Sequence, residues 1–122
     1  MNDSRSAAVL DRAALRALHE TVGGDDAFMA EIIETFLEEA PALVSEMQRA
    51  VAAGDAPTLR RASHTLKSNC RTFGALHLGD LCQQIEELAA SARMVDAAPL
   101  VNRAAIGYPT VETALRAERE AS

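Results

Sequence analysis

The chain has 122 residues and a formal net charge of -6, and its length fits one domain with a modest core. Hydrophobic residues make up 48% of it but aromatic residues only 3%. Alanine, the best helix former, is abundant, whereas strands favour aromatic and β-branched side chains. The composition therefore predicts closely packed helices, and the acidic balance argues against a nucleic-acid-binding protein.

No apolar run approaches the roughly 18 residues that a membrane-spanning helix needs, and the first residues lack the apolar stretch of a secretory signal. We expect residues 1–8 to form a disordered tail and residues 9–120 to form one helical domain. Cys70 and Cys82 lack the spacing of a disulfide or metal-binding motif. They are interpreted as buried free thiols, and the expected location is the reducing cytoplasm.

Five helices are predicted. The first runs from about Asp11 to Val22 and ends at a Gly-Gly pair. Asp25 or Asp26 caps a long second helix, whose apolar residues keep helical spacing through Pro41, where we expect a kink. The predicted core face of this second helix consists of Phe28, Ile32, Phe36, Leu43, Met47 and Val51.

The third helix begins with Asp55 as its cap and ends at Gly74. The fourth is expected to run from about Leu78 to Met94. Its apolar stripe consists of Leu78, Leu81, Cys82, Ile85, Leu88, Ala89 and Ala92. Three carboxylates are expected on its solvated face, namely Asp80, Glu86 and Glu87.

The fifth helix is predicted from Asp96–Pro99 to about Arg119. Its apolar residues stay in phase across Gly107 and Pro109, which favours one bent helix over two separate ones. These residues are Leu100, Ala104, Tyr108, Val111 and Leu115. Short connections make sequential helices antiparallel, so we expect an all-α fold: an up-down four-helix bundle with a short additional N-terminal helix.

The third helix presents a histidine on its outer face. At 100° per residue, His64 points away from the apolar stripe of that helix, which consists of Leu59, Ala62, Leu66, Cys70 and Phe73. Residues three or four positions away are its surface neighbours. The outer face accordingly carries four cations and a hydroxyl: Arg60, Arg61, Lys67, Arg71 and Ser68. Residues 56–79 include no acidic residue.

These surroundings suit phosphate chemistry at the imidazole of His64. An imidazole is mostly uncharged at neutral pH and keeps a nucleophilic lone pair, and nearby cations disfavour its protonation. The same cations offset the charge of a phosphoryl group. They are poor surroundings for a metal, and His19 and His77 show no ligand spacing. No nucleotide-binding loop is present, so the chain is not expected to phosphorylate itself.

The run from His64 to Ala75, His-Thr-Leu-Lys-Ser-Asn-Cys-Arg-Thr-Phe-Gly-Ala, resembles the signature of histidine-containing phosphotransfer (HPt) domains of two-component phosphorelays. That signature has a phosphorylatable histidine followed by an apolar residue, a lysine, a small residue and a glycine at fixed offsets. Those places are filled by His64, Leu66, Lys67, Ser68 and Gly74. The likeness extends over nearly the whole chain, from about Leu10 to Leu115.

The resemblance implies a phosphoryl carrier. His64 would accept the group on Nε2 from a receiver-domain aspartyl phosphate or a sensor histidine kinase and pass it to another receiver. Lys67 would contact the phosphoryl oxygens, with Arg60, Arg61, Arg71 and Ser68 in support. The chain itself is expected to bind no cofactor and no metal, Mg²⁺ being held by the receiver. A cytoplasmic monomer that binds neither nucleic acid nor membranes is the expectation.

Two positions depart from the family pattern. Ser68 stands where glycine is usual, and Arg71 stands where a small residue is frequent. Two alternatives remain open. One is a non-catalytic helical interaction module, such as a degenerate HPt domain, that docks an acidic partner surface. The other is a binder of anionic polymers, whose affinity would fall steeply with salt.

Overall fold

The computed structural model describes residues 9–121, so the tail predicted for residues 1–8 lies outside the described residues. It contains five helices: α1 Arg12–Thr21, α2 Asp26–Ala53, α3 Ala56–Thr72, α4 Leu76–Ala90 and α5 Met94–Ala121. No strand occurs in the described part of the chain. Within residues 9–121, no helix is long and apolar enough to span a membrane.

The four longer helices form a bundle in which each packs against two others. Helices α2 and α4 both pack against α3 and α5, and the short α1 lies against α3. Short turns between successive helices make them antiparallel. The predicted up-down four-helix bundle with a short additional N-terminal helix is confirmed.

Three aspartates cap the first three helices, and the caps of the second and third were predicted. The side chains of Asp11, Asp25 and Asp55 accept hydrogen bonds from backbone N–H groups three residues on, at 3.2, 3.0 and 3.2 Å respectively. Such a cap satisfies an N–H group that lacks a partner within the helix, and contributes about 1 kcal/mol.

The aromatic residues of the core meet around Phe36, whose ring lies 5.0 Å from that of Phe73 and 6.4 Å from that of Tyr108. The predicted core face of α2 is partly wrong, since Phe28 is 46% exposed. The prediction favoured large apolar residues, whereas alanines fill part of the core face where helices pack closely. The buried residues of α2 are Met29, Ile33, Phe36, Leu37, Ala40, Val44, Met47 and Ala50.

The predicted end of the fourth helix is also wrong, because α4 stops at Ala90 rather than near Met94. The chain turns at Ala92, which adopts a left-handed φ of 56°. The N–H of Arg93 donates to the carbonyl of Leu88 at 2.8 Å and closes the turn. No glycine or proline marks this reversal, so the apolar spacing alone suggested a longer helix.

Helix α5 runs without interruption through Pro99 and Pro109, which confirms the single helix predicted there. Val101 is buried in place of the predicted Leu100, which is only half-buried. Helix α2 likewise continues through Pro41, where the kink stays a prediction. The thiols of Cys70 and Cys82 are free and buried, as predicted.

Gly74 joins α1 to the bundle. Its φ is +83°, and a Cβ added there would lie 2.8 Å from the carbonyl oxygen of Asp11. The N–H of Asp11 donates to the Gly74 carbonyl at 2.8 Å. This signature glycine therefore permits both a left-handed turn and a close backbone contact.

We expect Gly74→Ala to lower the free energy of unfolding by about 2–4 kcal/mol, because a left-handed alanine and a backbone clash both destabilise the fold. Urea denaturation measures this. Gly107→Ala is the matched control, since a Cβ there meets no atom within 4 Å, and it should stabilise α5 by about 0.5–1 kcal/mol. Equal stabilities for the two variants would contradict the expectation.

Candidate functional site

His64 lies at the middle of α3 with its side chain 57% exposed. The opposite face of the helix is buried in the core, and it includes Leu59, Ala62, Leu66 and Cys70. The neighbouring Ser63 is fully buried, and its hydroxyl donates to the carbonyl of Leu59 at 2.7 Å. The structure thus places the imidazole outward on a rigid helix, as the helical wheel predicted.

A carboxylate from the adjacent helix holds the ring. Nδ1 of His64 lies 3.0 Å from Oε2 of Glu86 on α4. The side chain of Glu86 is only 17% exposed, so the prediction that it belongs to a solvated face is wrong. Sequence reasoning missed this residue because nothing in the spacing within α3 or α4 indicates how the two helices are aligned.

This contact assigns the single proton of the neutral ring to one of its two nitrogens. A carboxylate only accepts hydrogen bonds, so Nδ1 must be the N–H that donates to Glu86. In the neutral imidazole the lone pair then lies on Nε2. Nε2 is consequently the nucleophilic nitrogen.

Lys67 shares the same carboxylate. Its Nζ lies 2.7 Å from Oε1 of Glu86 and donates a hydrogen bond to Oε1 of Gln83 at 3.0 Å. Only 13% of the Lys67 side chain is exposed, since it lies between α3 and α4. One carboxylate therefore connects the ammonium of Lys67 to the imidazole of His64.

The other predicted cations divide into two groups. Arg60 and Arg61 are exposed and line a groove that also contains His64. Arg71 instead approaches α4, where its guanidinium lies 3.8 Å from Asp80. Ser68 is exposed one turn beyond His64. The expectation of four cations around the imidazole is thus only partly met, because carboxylates on α4 pair with two of them.

Gly79 allows α4 to lie close to this part of α3. A Cβ at Gly79 would lie 3.3 Å from Cγ of Arg71 and 3.5 Å from Cβ of Cys70. Gly79, Gln83 and Glu86 follow one another at helical spacing on the face of α4 that meets α3. This pattern, a glycine followed at helical spacing by two polar residues, is the sequence signal that could have identified the face of α4 that packs against α3.

The pKa of the Glu86 carboxyl reflects opposing causes. Burial raises this pKa, but the Lys67 ammonium and the His64 N–H outweigh that effect and hold the pKa below its usual value. The carboxylate is therefore ionised at neutral pH and able to accept from Nδ1.

A lowered pKa in the folded state makes stability depend on pH. The interaction stabilises the fold above the ordinary glutamate pKa of about 4.3 and is lost as the pH falls through the lowered value. We expect the unmodified protein to be more stable than Glu86→Gln at pH 7, with the difference shrinking toward about pH 3. Urea denaturation at several pH values checks this, and a difference that grows on acidification would contradict it.

Comparisons with known proteins identify the family and the fold. The family model described as the Hpt domain matches residues 31–121. The chain belongs to the Hpt family. Among solved structures, this Hpt protein is similar to histidine-containing phosphotransfer protein B (HptB) from Pseudomonas aeruginosa PAO1, with a TM-score of 0.84 and 24% sequence identity. The match covers 93% of this chain and 96% of the other. No curated protein matches the chain.

The family match confirms the predicted family, and with it the predicted function of histidine phosphotransfer. An Hpt domain takes part in histidine phosphotransfer within a phosphorelay, together with receiver domains and kinases. Likeness to HptB supports the bundle fold. Within residues 9–121, no cluster of three His, Cys, Asp or Glu side chains could hold a metal ion.

Proposed function

We propose that His64 is the residue of this Hpt domain that carries the phosphoryl group, and that Nε2 is the atom to which it is attached. The observation that carries this proposal is the hydrogen bond from Nδ1 to Glu86, which leaves the lone pair on Nε2 of a side chain that is more than half exposed. His19 differs in this respect, because its Nε2 lies 2.8 Å from Oδ1 of Asp26.

The reaction is an in-line transfer from the aspartyl phosphate of a receiver. Nε2 of His64 attacks phosphorus, the N–P bond forms, and the P–O bond to the aspartate breaks, with its electron pair leaving on the carboxylate. Positive charge grows on the ring as the lone pair is used. Glu86 offsets this charge through Nδ1, much as a buried aspartate stabilises an imidazolium in hydrolases.

The partners in this proposal are response-regulator receivers and a sensor histidine kinase, and the receiver supplies Mg²⁺. The chain acts as a monomer in the cytoplasm. Arg60 and Arg61 are exposed beside His64, and their positive charge stabilises the phosphoryl oxygens during transfer. Arg71 lies further along the helix and stabilises the same oxygens from a greater distance.

Lys67→Ala is expected to slow phosphoryl transfer by roughly tenfold, through loss of a positive charge near the phosphoryl group and loss of the partner of Glu86. The initial rate of transfer from a phosphorylated receiver measures this effect. Circular dichroism should show that the variant remains helical. An unchanged transfer rate would remove Lys67 from the mechanism.

The chemistry of the labelled product tests the proposal. The protein is incubated with Mg²⁺ and a receiver domain carrying labelled phosphate on its aspartate. Label that is lost in acid, survives alkali and maps to the peptide containing His64 identifies a phosphohistidine at this position. Receiver binding without any label would support the non-catalytic interaction module instead.

A further inference from the structure

An open recess lies beside His64, between the beginning of α3 and the end of α4. Its volume is about 670 Å³, and His64 and Glu86 form one end of it. Besides two arginines, the remaining wall consists of small apolar residues: Ala56, Pro57, Ala89, Ala90 and Ala92. We name this surface the alanine recess. Because most of its wall consists of small residues, it has room for a large apolar side chain of a partner.

The alanine recess also carries positively charged side chains. Arg60 and Arg61 line it, and neither guanidinium forms an ion pair within residues 9–121. Lys67 and Arg71, in contrast, are paired with carboxylates of α4. The positive charge available to a partner therefore lies on the same side of His64 as the recess, toward the beginning of α3.

We propose that the alanine recess is the docking socket for a receiver domain. It takes one bulky apolar side chain of the receiver, while Arg60 and Arg61 pair with a carboxylate next to that side chain. This inference rests on the proposed function of His64. Because His64 forms one end of the recess, a receiver seated there has its phosphorylated aspartate close to Nε2.

Docking in this socket also orients the receiver. Beyond His64, in the direction of Gly74, Lys67 is covered and Arg71 is paired, so that side attracts an acidic surface less. A receiver with a large apolar residue next to an acidic one is favoured in a single orientation. Receivers that lack this pair are bound less well, so the recess contributes to the choice among receivers.

Filling the socket provides the test. Ala90 is the exposed last residue of α4, so Ala90→Leu fills the recess with a good helix former and leaves the core intact. Ala117→Leu makes the same change at an exposed position of α5, outside the recess, and is the matched control. Each variant is assayed with a panel of receivers phosphorylated by acetyl phosphate, and separately with phosphoramidate, a donor too small to need a docking surface.

We expect Ala90→Leu to lower kcat/KM for transfer from receivers by roughly tenfold. Labelling of His64 by phosphoramidate should stay within about twofold, and Ala117→Leu should behave like the unmodified protein in both assays. Equal transfer rates for the two variants with every receiver would overturn the inference. A change of oligomeric state in Ala90→Leu alone would also overturn it, by indicating that a second copy of the chain occupies the recess.

The two donors separate the inference from the function on which it rests. If the unmodified protein acquires no label at His64 from either donor, the proposed function fails, and the docking inference fails with it. If phosphoramidate labels all variants alike and only Ala90→Leu transfers poorly from receivers, both stand.

Discussion

His64→Gln is expected to abolish phosphoryl acceptance while the bundle stays folded. An amide nitrogen has no available lone pair for attack on phosphorus, so no N–P bond can form. The side chain is more than half exposed on a helix whose opposite face fills the core, and the free energy of unfolding should change by less than about 0.5 kcal/mol. Transfer of labelled phosphate from a receiver, followed by electrophoresis in alkali, measures acceptance.

His77→Gln is the matched control, because His77 is an exposed histidine near the beginning of α4 and lies outside the proposed site. It should accept label at the same rate as the unmodified protein. Thermal unfolding followed by circular dichroism should give nearly equal midpoints for the two variants. Label retained by His64→Gln would end the mechanism proposed for this chain.

Glu86→Ala is expected to slow phosphoryl transfer by roughly 10- to 100-fold without preventing it. The change removes the group that holds the proton on Nδ1 and offsets the charge growing on the ring. Lys67 loses the carboxylate that it contacts in a mostly covered position, which should lower the free energy of unfolding by about 1–3 kcal/mol. Single-turnover transfer from a saturating phosphorylated receiver measures the rate.

A positioning role also predicts a spectroscopic change. Nitrogen NMR of the unmodified protein should show His64 with its proton on Nδ1, and Glu86→Ala should show a mixture of the two tautomers. Glu86→Gln should lie between them, since its amide oxygen still accepts from Nδ1 but carries no charge. Glu38→Ala, at an exposed position of α2, is the control for loss of a carboxylate. An unchanged tautomer in Glu86→Ala would show that Glu86 does not position the ring.

Local rules were sufficient for much of the fold. Helical spacing of apolar residues predicted the five helices, and the aspartate caps predicted for α2 and α3 were found. The same spacing showed that His64 points away from the core, because the direction of a side chain around its own helix axis depends only on its position along that helix. The family signature around His64 is also local, because its residues lie at fixed offsets within one stretch of sequence.

Contacts between helices were decided by the tertiary structure alone. Helical periodicity says which way a side chain points but not how far one helix is shifted along another, so the pairing of Glu86 with His64 and Lys67 could not be read from either helix. The reversal at Ala92 could not be read from the sequence either, since an alanine rarely adopts a left-handed φ and no glycine marks the turn. The sequence by itself thus determined an outward histidine on a helical bundle. The alignment of α3 with α4 decided which nitrogen of His64 is free and which cations of α3 remain available to a partner.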